Sequence, residues 1–332
     1  MIPSVTLLDI RAAAARIQGH AVKTPLISHS DLDRRTGGRI YVKAEPLQRT
    51  GSFKFRGAFN AISQIAAAGN TKGIAAVSSG NHGQAVAASA RHFGLKAVII
   101  MPADAPQVKV DLTRAHGAEI LTYDRWTEDR NAVGARVSAE RGFESVPPFD
   151  DLRVITGQGT VGLEIAETLM EQGISLDIVL CCCGGGGLIA GTATAIKALQ
   201  PQAAIYAVEP AGFDDTARSL TSGERESIGK SARSVCDALL SDRPGAITFP
   251  INKALLSGGL VVSDQEALAA VGYAANTLRI VAEPGGAVAL AAALSAKVDL
   301  AGKTVAIVLS GGNIDPAQFA NAVLAPQSNA LS

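Results

Sequence analysis

The amino-acid sequence predicts an α/β fold in which buried strands alternate with crossover helices. Three observations carry this. Short β-branched apolar runs recur along the chain, separated by Ala-rich stretches of helical length. The runs are continuously apolar, as in strands buried on both faces, and do not alternate as in a half-exposed sheet. Gly- and Ser-rich segments follow several of them, where an α/β sheet turns the C-terminal ends of its strands toward a ligand crevice.

Taken in order, residues 74–78 read as a strand, followed by a helix through 84–93. A second strand covers 96–101, with a helix over about 107–116, and a third covers Glu119–Tyr123, with a helix over about 128–141. Further on, Ile178–Cys182, 204–208 and Thr304–Leu309 read as strands, and 188–199 as a helix. The units between 74 and 149 are expected to form a small mobile domain with a sheet of its own. Residues 1–73 and 150–332 are expected to build a large domain from both sides of that insertion. A cleft between two such lobes is a common place for a small molecule.

Composition narrows the function. The 332 residues are 47% hydrophobic and 18% charged, which fits a packed globular protein and excludes disorder. Thirty basic residues balance thirty acidic ones, so there is no electrostatic footprint for nucleic acid or an anionic membrane, and neither is expected as a partner. The start, Met1-Ile2-Pro3-Ser4, lacks the basic and apolar regions of a signal peptide. The longest apolar stretch, 178–195, is interrupted by glycines, so no membrane span is expected. Cys181, Cys182 and Cys183 are consecutive and Cys236 stands apart, which suits neither a disulfide framework nor a zinc site. Buried reduced thiols and a cytoplasmic location are expected.

Four segments carry candidate chemistry. Gly184, Gly185, Gly186 and Gly187 lie between a strand and a helix starting near Leu188. Without Cβ atoms the backbone approaches an anion closely and aims several N–H groups at it, and the helix N-terminus adds positive potential. The spacing is neither the dinucleotide fingerprint nor a Walker loop. A tight structural turn has the same composition. The second segment is Thr50-Gly51-Ser52-Phe53-Lys54-Phe55-Arg56-Gly57-Ala58, where two aromatics flank Lys54. Low-dielectric surroundings disfavour the ammonium, and a neutral amine is what Schiff-base chemistry needs; a snorkelling surface lysine is the bland alternative. The third, Ser78-Ser79-Gly80-Asn81-His82-Gly83-Gln84, joins a strand end to a helix start and offers hydroxyls, amides and backbone N–H groups to a carboxylate. An ordinary N-cap with a packed His82 reads the same way. The fourth is Ser310-Gly311-Gly312-Asn313, after a buried strand, where a plain glycine turn is the alternative.

In this order, and with Gly157-Gln158-Gly159-Thr160 and Glu283-Pro284, these motifs resemble the fold-type II pyridoxal-phosphate enzymes, most closely the serine/threonine dehydratase and serine racemase family. The resemblance runs from about residue 5 to 320. It implies a tryptophan synthase beta-like architecture of two open twisted sheets flanked by helices, with the large domain binding the cofactor, and a likeness in function: pyridoxal 5′-phosphate joined to Lys54. It further implies Phe53, Asn81, Glu283 and Ser310 around the ring, and Gly184 to Gly187 with Leu188 on the phosphate. A hydroxyl at Ser310, facing the ring nitrogen, makes a weaker electron sink than a carboxylate, which suits elimination. Substrate is expected on Ser78, Ser79, Gly80, Asn81 and His82, with Arg130 as a further contact.

The activity implied is β-elimination of water from L-threonine or L-serine, giving a 2-oxo acid and ammonia. Lys54 would remove the Cα proton, and Ser79 would handle a proton on the opposite face, the position that supports racemisation in racemases. The competing enzymatic reading is a 3-hydroxyaspartate dehydratase, whose extra carboxylate needs a cation that Arg56, Arg130 or Arg243 could supply. A non-enzymatic α/β protein binding a phosphorylated ligand is the third reading, and it leaves Lys54 unexplained. The resemblance also implies a Mg²⁺ or Ca²⁺ site on Glu209, the Phe213 carbonyl and Asp215, hard oxygen donors that do not suit Zn²⁺. Asp237 matches a polar position near the active-site mouth. A homodimer is expected, and a chain ending at 332 is expected to lack the regulatory extension of biosynthetic threonine dehydratases. Residues 239–251 depart from the racemase pattern, so the side-chain pocket is not read from them.

Overall fold

Among the described residues of the computed structural model, 5–325 without 106, 125, 230 and 231, ten strands divide between two sheets. The segment Met1-Ile2-Pro3-Ser4 lies outside them. The strands are β1 (Leu26–Ile27), β2 (Arg39–Ala44), β3 (Gly73–Val77), β4 (Lys96–Pro102), β5 (Glu119–Tyr123), β6 (Glu144–Ser145), β7 (Ile178–Cys182), β8 (Ala204–Pro210), β9 (Gly258–Val262) and β10 (Thr304–Leu309). The larger sheet has the order β1-β2-β10-β7-β8-β9 and the smaller β5-β4-β3-β6. All pairings are parallel except β1 with β2. The insertion thus makes its own sheet, while chain from before and after it interleaves in the other.

Burial explains the central strands. Every residue of β7 is buried, and β10 is buried after Thr304, because helices cover both faces. The smaller sheet packs on the helices Asn81–His92 and Lys54–Ala68 through Ile74, Ile99, Val86, Phe59 and Ile62. Four strands went unread. In β2, Arg39 and Lys43 interrupt the apolar run, yet Lys43 is buried with an ionic partner. Strand β9 opens on two glycines and is an edge strand; β1 and β6 are two residues each.

Two helix starts differ from expectation. The helix after β5 begins at Arg130, two residues late, because the Asp129 carboxylate accepts from the Asn131 and Ala132 N–H groups at 2.9 and 2.8 Å and caps it there. The helix after β3 begins at Asn81, three residues early, which puts Asn81 and His82 in its first turn. The helix Lys54–Ala68 meets the helix Leu152–Gln158 where Gly57 faces Gly157 and Gln158. A Cβ on Gly157 would lie 2.7 Å from the Arg56 carbonyl oxygen, and the Gln158 side chain accepts from the Gly57 N–H at 3.1 Å. The Gly157-Gln158 motif therefore seats the helix that begins at Lys54.

Candidate active site

The N-terminus of the helix Lys54–Ala68 is pinned to the end of β10. Phe53 N–H donates to the Ser310 carbonyl at 3.0 Å, and Ser52 forms a bridge with Gly311. Lys54 is half-buried; its Nζ donates to the Pro148 carbonyl at 2.8 Å and lies 5.1 Å from the centroid of the Phe53 ring. Dehydration pushes its amine down to about 8, against the opposing pull of Cys182 and Glu283. An amine in that range is substantially neutral at mildly alkaline pH, as imine chemistry requires.

Beside it, the chain leaves β7 through Gly184, Gly185 and Gly186 and enters the helix Gly187–Leu199. Gly186 has φ +92°, open to glycine, and turns the loop. The loop's carbonyls are engaged. The Gly185 oxygen accepts from Thr248 Oγ1 at 2.6 Å and from the Gly245 N–H at 3.2 Å, and the Gly186 oxygen accepts from the Ala190 N–H at 2.9 Å. The N–H groups of Gly184, Gly185 and Gly186 find no protein acceptor among the described residues. Unused N–H donors at a helix start are what a phosphate dianion takes, so the loop fits the phosphate of pyridoxal phosphate. Phe149 backs the ledge: a Cβ on Gly187 would lie 2.9 Å from that of Phe149.

Ser310, at the end of β10, is buried with its Oγ 3.1 Å from Cys182 Sγ. Asn81 is held by a chain of polar contacts. Its Nδ2 donates to Glu283 Oε1 at 2.5 Å, and Asn313 Nδ2 donates both to Asn81 Oδ1 and to the Thr50 carbonyl, at 2.8 Å each. Burial, with the nearby Asp237 charge, pushes the Glu283 carboxyl up to about 8. Lys54, Ser310, Asn81, Glu283 and the glycine ledge therefore converge from both sheets, with Leu188 buried in the helix turn after the ledge. Ser78, Ser79 and Gly80 are half-buried between β3 and the helix Asn81–His92, and the Gly80 N–H donates to Ser78 Oγ at 3.2 Å. His82 is buried with Nε2 2.8 Å from the Val146 carbonyl; burial, then the Lys54 charge, pushes it down to about 3, so it stays neutral.

Two expected cations are elsewhere. Arg56 is fully buried and grips Glu45 with Nε and Nη2 at 2.8 Å each and Glu164 at 2.6 and 2.9 Å, so it is unavailable to a substrate. Arg243 is exposed and donates through Nε and Nη2 to the Arg225 carbonyl, at 3.1 and 2.9 Å. Arg130 is exposed at the start of the helix Arg130–Arg141, which packs on β3 and β6; a Cβ on Gly134, one turn along, would lie 2.6 Å from Val77 Cγ2, next to Ser78.

Glu209 and Asp215 come together at the end of β8 and the start of the helix Asp215–Ser222. Glu209 accepts from the Thr216 and Ala217 N–H groups at 3.0 and 2.8 Å, whereas both buried Asp215 oxygens lack a hydrogen-bond partner among the described residues. Burial, reinforced by Asp215, pushes Glu209 up to about 8, and burial pushes Asp215 up to about 7. Unsatisfied buried carboxylate oxygens beside the buried Phe213 fit a hard cation. Among the described residues there is no cluster of three or more His, Cys, Asp or Glu side chains able to hold a metal. The four cysteines are free and buried, as expected. No helix among the described residues is long and apolar enough to cross a membrane.

Sequence reasoning missed the Pro148 carbonyl, Phe149 and Asp150, whose carboxylate accepts from the Ala246 and Ile247 N–H groups at 2.9 and 2.7 Å and anchors the segment bracing the ledge. The Pro147-Pro148-Phe149-Asp150 run stood as a signal of a rigid turn ending in a cap.

The chain is similar along most of its length to proteins of known activity. Residues 17–311 match the family described as pyridoxal-phosphate dependent enzyme. The chain is 40% identical to the L-threo-3-hydroxyaspartate ammonia-lyase of Saccharomyces cerevisiae, over 95% of each chain. It is 37% identical to the serine racemase of Schizosaccharomyces pombe, over 94% of this chain and 95% of that one. Its structure superposes on the T.th. threonine deaminase with a TM-score of 0.87 and 41% identity, covering 94% and 99% of the two chains.

Proposed function

The chain belongs to the pyridoxal-phosphate-dependent enzyme family and is a carbon–nitrogen lyase, and from that premise we propose that it dehydrates and deaminates L-threonine and L-serine through Lys54. The observation that carries the reading is the half-buried Lys54 amine, lowered to about 8, beside a glycine ledge with unused N–H donors. Bound pyridoxal phosphate supplies a ring that withdraws electrons from the substrate Cα.

The chain's own groups do the rest. Gly184, Gly185, Gly186 and Gly187, with Leu188, hold the phosphate; Phe53, Asn81, Glu283 and Ser310 orient the ring. The chain Glu283–Asn81–Asn313 keeps the Asn81 amide from rotating. Ser78, Ser79, Gly80, Asn81 and His82 take the substrate carboxylate, helped by the helix dipole. With the cofactor bound, Lys54 Nζ would take the proton from the substrate Cα. Ser79 stands ready to move a proton on the other face, which gives a minor racemase activity. Arg130, on the helix packed against β3, is a further substrate contact, and residues 74–149 form a small mobile lobe.

A second reading, a preference for 3-hydroxyaspartate, is favoured by the named activity of the S. cerevisiae relative. Comparing kcat/KM for L-serine, L-threonine and the 3-hydroxyaspartate stereoisomers decides between them. A hydroxyaspartate preference of roughly a hundredfold, about 3 kcal/mol, transfers the assignment to the second reading. No ammonia release from any of them overturns both.

Glu209, the Phe213 carbonyl and Asp215 hold Mg²⁺ or Ca²⁺, supported by the unpartnered Asp215 oxygens. Chelator should then lower the melting temperature of the native protein but not of Asp215→Ala; no effect on either removes the metal. The protein acts in the cytoplasm and forms a homodimer; sedimentation at micromolar concentration tests the dimer.

A further inference from the structure

One ion pair joins the two lobes at the mouth of the site. Lys109 Nζ contacts Asp237 Oδ2. Lys109 lies on the helix Gln107–Ala115, which follows β4, the strand paired with β3 in the small sheet; the Ser78-to-His82 loop follows β3 itself. Asp237 opens a short turn, Asp237–Leu239, belonging to the large lobe. That turn lies on the cofactor ledge. A Cβ on Gly184 would be 3.2 Å from Leu239 Cα, and one on Gly285 would be 3.2 Å from Ala238 Cβ. Gly285 in turn sits two residues after Glu283, the partner of Asn81. Both charges of the pair are felt at Glu283, so both stand within electrostatic reach of the ring site.

Two of the other candidate cations are committed elsewhere. Arg56 is committed to Glu45 and Glu164, and Arg243 to the Arg225 carbonyl. Arg130 is exposed at the start of the helix Arg130–Arg141, which packs on β3 beside Val77 and so lies near the same loop, and it is the competing cation. Lys109 is the lysine at the crevice whose counter-ion is a single carboxylate facing it across the cleft, with the Lys109 side chain 20% exposed and that of Asp237 48% exposed. A second carboxylate on a substrate is chemically equivalent to that counter-ion and can replace it.

We propose that Lys109 is a specificity-determining residue that receives the distal carboxylate of a β-hydroxy amino dicarboxylic acid, exchanging Asp237 for the substrate. This rests on the dehydratase reading above and extends its substrate range to the 3-hydroxyaspartate class. A substrate with one carboxylate leaves the Lys109–Asp237 pair intact and gains nothing from Lys109. An incoming dicarboxylate must displace Asp237, so removing that competitor helps it.

The test uses holoenzyme and three variants, Lys109→Met, Lys109→Arg and Asp237→Asn, each checked for native melting temperature. For L-threo-3-hydroxyaspartate, Lys109→Met should lower kcat/KM at least 30-fold, about 2 kcal/mol, mainly through KM. For L-serine it should change less than threefold. Lys109→Arg should recover most of the loss, and Asp237→Asn should raise hydroxyaspartate kcat/KM several-fold. Succinate should bind the native holoenzyme more tightly than propionate, with the difference abolished in Lys109→Met. Equal losses for both substrates, no loss for either, or a native enzyme that turns over serine but not hydroxyaspartate overturns the inference while leaving the dehydratase reading intact. A native protein lacking the visible absorbance of a lysine-bound cofactor overturns the reading itself.

Discussion

Removing the cofactor from this protein exposes an amine whose protonation the fold has already altered. Lys54 titrates near 8 because its ammonium is poorly hydrated, and Cys182 and Glu283 only partly offset that penalty. At pH 7 an amine with that value is roughly 10% neutral, whereas one at the ordinary lysine value is roughly 0.03% neutral, a ratio of about 300. Since the neutral amine attacks the cofactor aldehyde, apoprotein should capture pyridoxal phosphate about two orders of magnitude faster than N-acetyllysine amide at equal amine concentration. Stopped-flow absorbance from pH 6 to 10 gives the dependence directly, with the free lysine analogue at pH 7 as the reference. The capture rate should climb about tenfold per pH unit and level off near pH 8. The sign for stability follows from the same shift. Between about 8 and the ordinary lysine value the unfolded chain binds more protons at this site than the folded one, so this amine makes the apoprotein more stable as pH rises through that window, and its destabilisation is full below 8. A capture rate that keeps climbing to pH 10 would refute the argument, because it would mean a hydrated lysine.

Gly185→Ala would put a methyl well inside van der Waals contact with the Phe149 ring; relieving an overpacked contact costs roughly 1–3 kcal/mol, so the dissociation constant for pyridoxal phosphate should rise roughly 5- to 150-fold by fluorescence titration, with little change in the far-ultraviolet spectrum. Glu45→Gln leaves Arg56 in a buried site with one counter-ion fewer. The expected loss is about 3–5 kcal/mol in urea unfolding of the apoprotein, and a loss below about 1 kcal/mol would show that Glu164 alone satisfies Arg56.

The parts of the fold legible in the sequence are those where one physical cause dominates. Strands β4, β7 and β10 are buried on both faces and so declare themselves as apolar runs. Strand β2 does not, because Lys43 occupies a core position that is tolerable only beside Glu164, a residue 121 positions away. The same network explains the misjudged Arg56. Next to the reactive lysine it looks like a substrate contact, yet it points to the opposite side of the helix, where Glu45, Thr160 and Glu164 await it. Charged residues inside apolar segments announce burial but not partners. The glycine run was legible because a turn from a strand into a helix leaves a local pattern. Its braces, Phe149, Asp150 and Thr248, were not, since packing from a distant segment leaves no local pattern. Lys109 was invisible for the same reason: its pairing with Asp237, 128 residues later, leaves no local pattern.

The most direct measurement is to treat the holoprotein with borohydride, digest it and locate the pyridoxyl label by mass spectrometry. A single labelled peptide carrying the modification on Lys54 is the predicted result. Label on another lysine, or none, would contradict the assignment on which the chemistry rests.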